Sequence, residues 1–325
     1  MTAHSSSDRV FLGVDIGGTK VALGLVDAGG KILTQSRRPM IANGTAEMGL
    51  QAVVDAIDSM TAQAVAAGKQ VQAIGICAPG PLDPVAGVIL NPPNVTCWRN
   101  FPLAARIADK YTLPVKVDND ANAAALAETR WGAAQGYRHV FYTTVGTGIG
   151  TGIVLDGKIY HGNTGSAGEG GHVSIDYNGP VCGCGKRGCI EALAAGTAIG
   201  LRARAKLADL QSPHSTLLDL AGGDLARVTS EMVGKAYEAG DPLAREVLED
   251  TVKMLSAWLG NIVDLFDPDV LVMGGGVAGM LRPFFGAIKN YLPTWCVNPH
   301  VGKIPLLMAH YGADAGIAGG AALCA

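Results

Sequence analysis

One unit, a strand, a glycine turn and a second strand, occurs twice in this chain of 325 residues. The first copy reads Asp15-Ile-Gly-Gly-Thr-Lys-Val-Ala-Leu-Gly-Leu-Val and closes at Gly30-Lys31-Ile32. The second reads Val145-Gly-Thr-Gly-Ile-Gly-Thr-Gly-Ile-Val and closes at Gly157-Lys158-Ile159. Gly17 and Gly146 stand 129 positions apart. A supersecondary unit repeated at that distance sets the expectation of two related domains, for which the chain is long enough. The match is short, and chance likeness of glycine-rich turns is its rival.

The elements around the two copies read as an α/β protein. Val10 to Ile16, Lys20 to Val26 and Lys31 to Arg37 are short apolar segments broken by Gly-Gly pairs, the pattern of a β-meander. A helical pattern spans Glu47 to Ala66, and Val71 to Cys77 reads as a buried strand ending at Pro79-Gly80. Helix Leu103 to Lys110 leads to strand Val115 to Asp118. An alanine-rich helix from Asp120 to Gly132 follows, with Asn119 and Asp120 both able to cap it. His139 to Thr144 and Gly152 to Leu155 are expected to pair. From Leu248 to Phe266 apolar residues recur at helical spacing, a core stripe and nothing more. Leu271 to Met273 is a short strand running into Gly274-Gly275-Gly276, and Gly312 to Ala325 reads as a tightly packed Gly/Ala helix.

Three glycine turns follow strands: Gly17-Gly18-Thr19, Gly146-Thr147-Gly148 and Gly274-Gly275-Gly276. Turns without side chains let backbone amides approach phosphate oxygens, and a threonine hydroxyl adds a donor. One such turn is weak evidence, since most Gly pairs only make hairpins. Two Gly-Thr turns in related settings point to a nucleotide polyphosphate held between two domains. There is no Walker-type Gly-Lys-Ser/Thr loop, and no dinucleotide-binding turn is expected. Asp15, at the first turn, can order a hydrated Mg2+ near phosphates. Asp120, between strand and helix, can accept a proton from a hydroxyl nucleophile. Taken alone, Asp120 is more simply a helix cap.

Cys182, Cys184 and Cys189 crowd one glycine-rich loop, and His172 lies ten positions before it. Cys182 and Cys184 are too close in sequence for an easy disulfide. A Cys3His set satisfies a closed tetrahedral zinc site with no position left for water, so the metal would be structural. The alternative is a chance cluster of free thiols. Glu169, His172 and Glu191 bracket these ligands, and carboxylates and an imidazole on one rigid loop suit a polyol, which takes several directional hydrogen bonds. Taken singly, each is more simply a surface charge. His172 could serve zinc through one ring nitrogen and a substrate hydroxyl through the other.

Composition excludes several partners. Net charge is −3 with no basic run, which disfavours nucleic acid and anionic membranes. Met1 to Asp8 is polar and serine-rich, is expected to be a disordered tail, and has no signal-peptide core. No apolar run is long enough to span a bilayer. Seven cysteines, an odd number, in a chain without an export signal argue against a disulfide framework. A cytoplasmic protein is expected.

Together these residues resemble the ROK family (repressors, open reading frames and kinases) of sugar kinases, within the two-domain actin/hexokinase-like (ribonuclease H-like) α/β fold. Asp15-Ile-Gly-Gly-Thr-Lys is similar to its first phosphate motif and Gly146-Thr147-Gly148-Ile-Gly to its second. Asn119-Asp120-Ala-Asn122 matches the motif of its catalytic base. Glu169-Gly-Gly-His172 with Cys182-x-Cys184-Gly-x-x-Gly188-Cys189-x-Glu191 matches its zinc and sugar signature. The resemblance runs from about Arg9 to the C-terminus. It implies Asp120 as catalytic base and Asn94, Asn119, Asp120, Glu169, His172 and Glu191 as sugar contacts. It implies Asp15, Gly17, Gly18, Thr19, Lys20, Gly146, Thr147, Gly148, Gly275 and Gly276 around ATP and Mg2+. The zinc ligands would be His172, Cys182, Cys184 and Cys189. It also implies a small domain over 9–118, joined by a C-terminal helix over about 312–325, a large domain over 119–311, and a homodimer or homotetramer.

Glucokinase, phosphorylating the 6-hydroxyl of glucose, is the expected activity. N-acetylglucosamine or N-acetylmannosamine kinase shares every motif. The Asn94-Val-Thr-Cys-Trp98-Arg-Asn-Phe-Pro-Leu segment is closer to the glucokinase pattern. A sugar-responsive repressor would carry a helix-turn-helix before the first phosphate motif, and only fourteen residues precede Asp15.

Overall fold

The computed structural model describes residues 8–209 and 215–325. In chain order, strands β1 (Arg9–Ile16), β2 (Lys20–Asp27) and β3 (Ile32–Pro39) precede helix α1 (Ala46–Ala66) and β4 (Gln70–Ala78). A two-stranded ribbon, β5 (Leu82–Asp83) with β6 (Val88–Ile89), leads to α2 (Leu103–Tyr111), β7 (Val115–Asn119) and α3 (Asp120–Arg130). Then come β8 (Val140–Val145), β9 (Ile149–Leu155) and β10 (Lys158–Ile159). Helices α4 (Ile190–Ala194), α5 (Gly196–Ala208), α6 (Thr216–Leu220), α7 (Ser230–Glu238) and α8 (Pro242–Phe266) follow. The chain ends with β11 (Val270–Gly274), α9 (Gly276–Leu281), α10 (Phe285–Tyr291), β12 (Leu306–Met308) and α11 (Ala315–Cys324).

Two five-stranded sheets form, in the orders β3-β2-β1-β4-β7 and β10-β9-β8-β11-β12. The expected meander is present, with β1, β2 and β3 antiparallel, and β4 and β7 continue the first sheet in parallel. The central strands are apolar on both faces because helices cover the sheet, as parallel sheets require. In the parallel registers Asp15 pairs with Cys77 and Cys77 with Asp118, so three strand ends carry these residues in one row.

The chain divides into two compact units: Met1–Tyr142, Gly152–Gly168 and Ala309–Ala325 in the first, and Thr143–Thr151 and Glu169–Met308 in the second. Asp118 and α3 both fall in the first unit. α3 stays with the first unit because its alanine face, Ala123, Leu126 and Ala127, shares a core with Ala318, Ala322 and Leu323 of α11. The C-terminal helix α11 belongs to the first unit. Of the expected tail, residues 1–7 lie outside the described residues, while Asp8 pairs with Lys69 at 3.7 Å. Among the described residues, no helix is long and apolar enough to cross a membrane.

Candidate functional site

In the first unit the glycine turn is a tight hairpin between β1 and β2, closed by the Gly17 N–H donating to the Lys20 carbonyl at 2.9 Å. A Cβ on Gly18 would lie 2.7 Å from the Asn94 carbonyl oxygen, so the expected sugar residue Asn94 abuts the expected phosphate turn. Thr19 and Lys20 are exposed, and the Thr19 carbonyl accepts the Met40 N–H at 3.0 Å. Asp15 ends up half-buried, with the Cys77 thiol 3.7 Å from its Oδ1. Burial pushes its carboxyl above the ordinary range, opposed by the thiol bond and by the charges of Lys20 and Arg37. A raised carboxyl in a turn of bare amides is one that a cation would return to its charged form.

At the end of β7, Asn119 is the N-cap of α3, its Oδ1 accepting the N–H groups of Ala121 and Asn122 at 2.9 and 3.3 Å. Asp120 follows as the first helical residue, with Oδ1 accepting the Ala121 N–H at 2.8 Å. The buried Cys77 thiol is raised by burial first, and then by the charges of Asp15 and Asp120, so both carboxylates act on that one strand end.

In the second unit the other glycine turn closes one residue tighter, with the Gly146 N–H donating to the Gly148 carbonyl at 2.9 Å. Glu191, from the cysteine loop, accepts the Ile149 N–H at 2.9 Å, and a Cβ on Gly148 would lie 2.6 Å from its Oε2. His172 Nδ1 is 3.9 Å from Glu191 Oε1, and His172 Nε2 is 4.0 Å from Glu169 Oε2. Gly275, with φ of 91°, packs so closely on β8 that a Cβ would lie 2.4 Å from the Val145 carbonyl oxygen. Gly276, which opens α9, lines a cavity of about 710 Å³ with Gly146 and Thr147.

That cavity reaches Arg204, Glu231 and Lys235 on α5 and α7, residues the sequence reading did not reach. Their only sequence signal is the pair of small residues, Gly196 and Gly200, that keep one face of α5 open beside them.

The four predicted metal ligands come together, with their ligand atoms within 4.8 Å of one another. A tetrahedral zinc with bonds of about 2.3 Å to sulfur and about 2.0–2.1 Å to nitrogen sets S···S edges of about 3.8 Å and S···N edges of about 3.6 Å. Cys184 Sγ to Cys189 Sγ is 3.7 Å, and Cys182 Sγ to His172 Nδ1 is 3.6 Å. The set therefore fits a zinc ion through Nδ1, with Nε2 turned toward Glu169. Burial first, then the neighbouring thiols, pushes Cys189 up to about 12, while the Lys186 backbone N–H and those thiols lower Cys184. A buried thiol among thiols is a poor acid until a cation stabilises the thiolate.

A profile of the ROK family matches residues 11–325. The chain is a member of the ROK family. Among curated ROK relatives it is 32% identical to a glucokinase of Thermotoga maritima, over 96% of each chain. It is 35% identical to an N-acetylmannosamine kinase of Shigella boydii, over 96% of this chain and 97% of that one. Among solved structures, a ROK glucokinase from Streptomyces griseus in complex with glucose and AMPPNP superposes with a TM-score of 0.80. The two are 35% identical, over 97% of this chain and 98% of that one. The two-sheet α/β fold of ROK sugar kinases, actin-like in type, is the fold observed here.

Proposed function

We propose that this chain is an ATP-dependent hexose kinase that transfers the γ-phosphoryl group to the 6-hydroxyl of glucose. The observation that carries the reading is the 2.9 Å bond from the Ile149 N–H to Glu191. It fastens the loop bearing the sugar candidates Glu169, His172 and Glu191 to the turn bearing the phosphate candidates Gly146, Thr147 and Gly148. A polyol binder and a polyphosphate binder built into one junction serve a transfer between the two.

In this reading Asn94, Asn119, Glu169, His172 and Glu191 hold the sugar hydroxyls. Asp120 takes the proton of the 6-hydroxyl as that oxygen attacks the γ-phosphorus, and the bond to the bridging oxygen breaks to release ADP. The amides of the turns at Gly17-Gly18-Thr19 and Gly146-Thr147-Gly148 bind phosphate oxygens, with Lys20 supplying positive charge. The 710 Å³ cavity from Thr147 to Glu231 receives the nucleoside. A Mg2+ ion, when bound near Asp15, supplies charge neutralisation at the β- and γ-phosphates. A zinc ion held by His172, Cys182, Cys184 and Cys189 supplies local folding energy and takes no part in the transfer. A cytoplasmic homodimer or homotetramer completes the reading, and light scattering tests the assembly.

Coupled assays with glucose, mannose, fructose, N-acetylglucosamine and N-acetylmannosamine test the proposal, with the highest kcat/KM expected for glucose. The second reading is an N-acetylmannosamine kinase, favoured by the 35% identity of the Shigella boydii enzyme against 32% for the Thermotoga maritima glucokinase. A kcat/KM for N-acetylmannosamine above that for glucose would replace the first reading by the second.

A further inference from the structure

Asp118 is the residue before the Asn119-Asp120 pair, and its side chain is 5% exposed. Its carboxylate takes three donors. Oδ1 accepts the Asn119 N–H at 2.7 Å and the Asn122 side-chain amide at 3.2 Å, and Oδ2 lies 2.7 Å from His161 Nε2. A buried carboxylate is tolerated only when its oxygens are bonded. One group therefore fixes a peptide nitrogen and a side chain within the same turn, the turn that carries Asp120. His161 reaches it from the segment after β10, 43 residues along the chain.

We infer that Asp118 and His161 form a positioning pair for the N-terminus of α3: His161, without touching substrate, sets where Asn119 and Asp120 stand. The kinetic consequence rests on the hexose-kinase reading, and the geometric one does not. His161 holds Asp118 in either protonation state, but the bond is charge-assisted only when the imidazole is protonated. The hydrogen bond to Asp118 raises the pKa of His161 above its ordinary value, against partial burial. The other charged groups around His161 are Lys116, Arg130 and Lys158, which line a cavity of about 310 Å³ with it. Lys116 Nζ donates to the Leu323 carbonyl at 2.8 Å and Arg130 donates to the Ala325 carbonyl, so both are anchored on the C-terminal segment. Rising pH should thus loosen the turn by removing the charge of His161.

His161→Ala removes the bond, and His161→Gln keeps an N–H donor without a titratable charge. With glucose and ATP, His161→Ala should lose about ten-fold in kcat, since small misplacements of a base are costly. His161→Gln should retain most of kcat and lose the fall in kcat that the wild type shows as pH rises through the raised value of His161. Amide exchange at Asn119 to Asn122 should quicken in His161→Ala and stay near wild type in His161→Gln. Equal kcat and equal exchange in wild type and His161→Ala would overturn the inference. So would a Gln variant as impaired as the Ala variant. If the wild type phosphorylates no hexose, the proposed function falls while the exchange comparison still decides the positioning role. If His161→Ala does not fold, the Gln variant's pH profile decides: a flat alkaline side supports the pair, and an unchanged fall rejects it.

Discussion

The Oδ1 of Asn119 is occupied by two helix amides, at 2.9 and 3.3 Å, which leaves its side-chain amide as the group to meet a substrate hydroxyl. Asn119 is the cap, and the exposed Asp120 that follows it is the proposed base, although its Oδ1 also accepts a helix N–H. Asp120→Asn should keep the fold and the glucose affinity while lowering kcat by about 10²-fold or more, measured by steady-state kinetics beside a glucose titration. Near-wild-type turnover would remove Asp120 from the role of base. His161 gives a stability prediction with a definite sign. Its pKa is raised in the folded protein, so its contribution is complete below the ordinary histidine value of about 6.5 and is lost as pH rises through the folded value. The gap in urea midpoint between wild type and His161→Gln should therefore shrink from pH 6 to pH 9. A gap that widens would reverse the assignment of cause.

On the proposed reading, the cysteine loop is the element whose local order depends on a ligand. Lys186 Nζ donates to the His172 carbonyl at 2.6 Å, and the Ile190 N–H donates to the Val173 carbonyl at 3.0 Å, so the ends of the loop are tied without metal. Between those ties the thiols converge on one point, and a metal bound there would supply folding energy for the loop. Cys184→Ser should lose zinc and most glucose affinity, because Glu169, His172 and Glu191 stand on this loop and at its ends. ATP affinity without sugar should change little, since the cavity from Thr147 to Glu231 has none of the four ligands in its lining. Metal analysis with separate glucose and ATP titrations tests this, and normal glucose affinity in a zinc-free variant would remove the loop's scaffolding role. The same loop shows the reach of sequence reading. Its candidate ligand set was legible because three thiols and an imidazole at short spacing have few other uses. The bond from Ile149 to Glu191 was not, because it joins residues 42 positions apart and depends on how the loop folds back.

The first unit is closed by the last helix of the chain. α11 lies so close to β1 and β4 that a Cβ on Gly13 would be 1.9 Å from the Ile317 carbonyl oxygen, and one on Gly75 would be 1.7 Å from that of Gly320. Helix and strands touch through backbone on both sides, so neither has a side chain that could move aside. Gly75→Ala should destabilise this unit by about 3 kcal/mol, read as a lower urea midpoint, with Gly29→Ala, whose added Cβ would make only an ordinary contact at 3.4 Å with Asp27 Oδ1, as the control. A Gly75→Ala midpoint equal to wild type would show that α11 can shift. Sequence alone determined the meander, α1, most of α8, the strands that carry Asp15 and Asp118, and the Cys3His set of candidate ligands. Each of these rests on local periodicity, capping chemistry or short spacing, which survive without a fold. Only the tertiary structure decided that α3 belongs with the N-terminal sheet, that His161 holds Asp118, and that α5 and α7 wall the cavity beside Thr147. Those facts depend on packing between segments far apart in sequence, where the partner of a side chain is chosen by the backbone path and not by its neighbours.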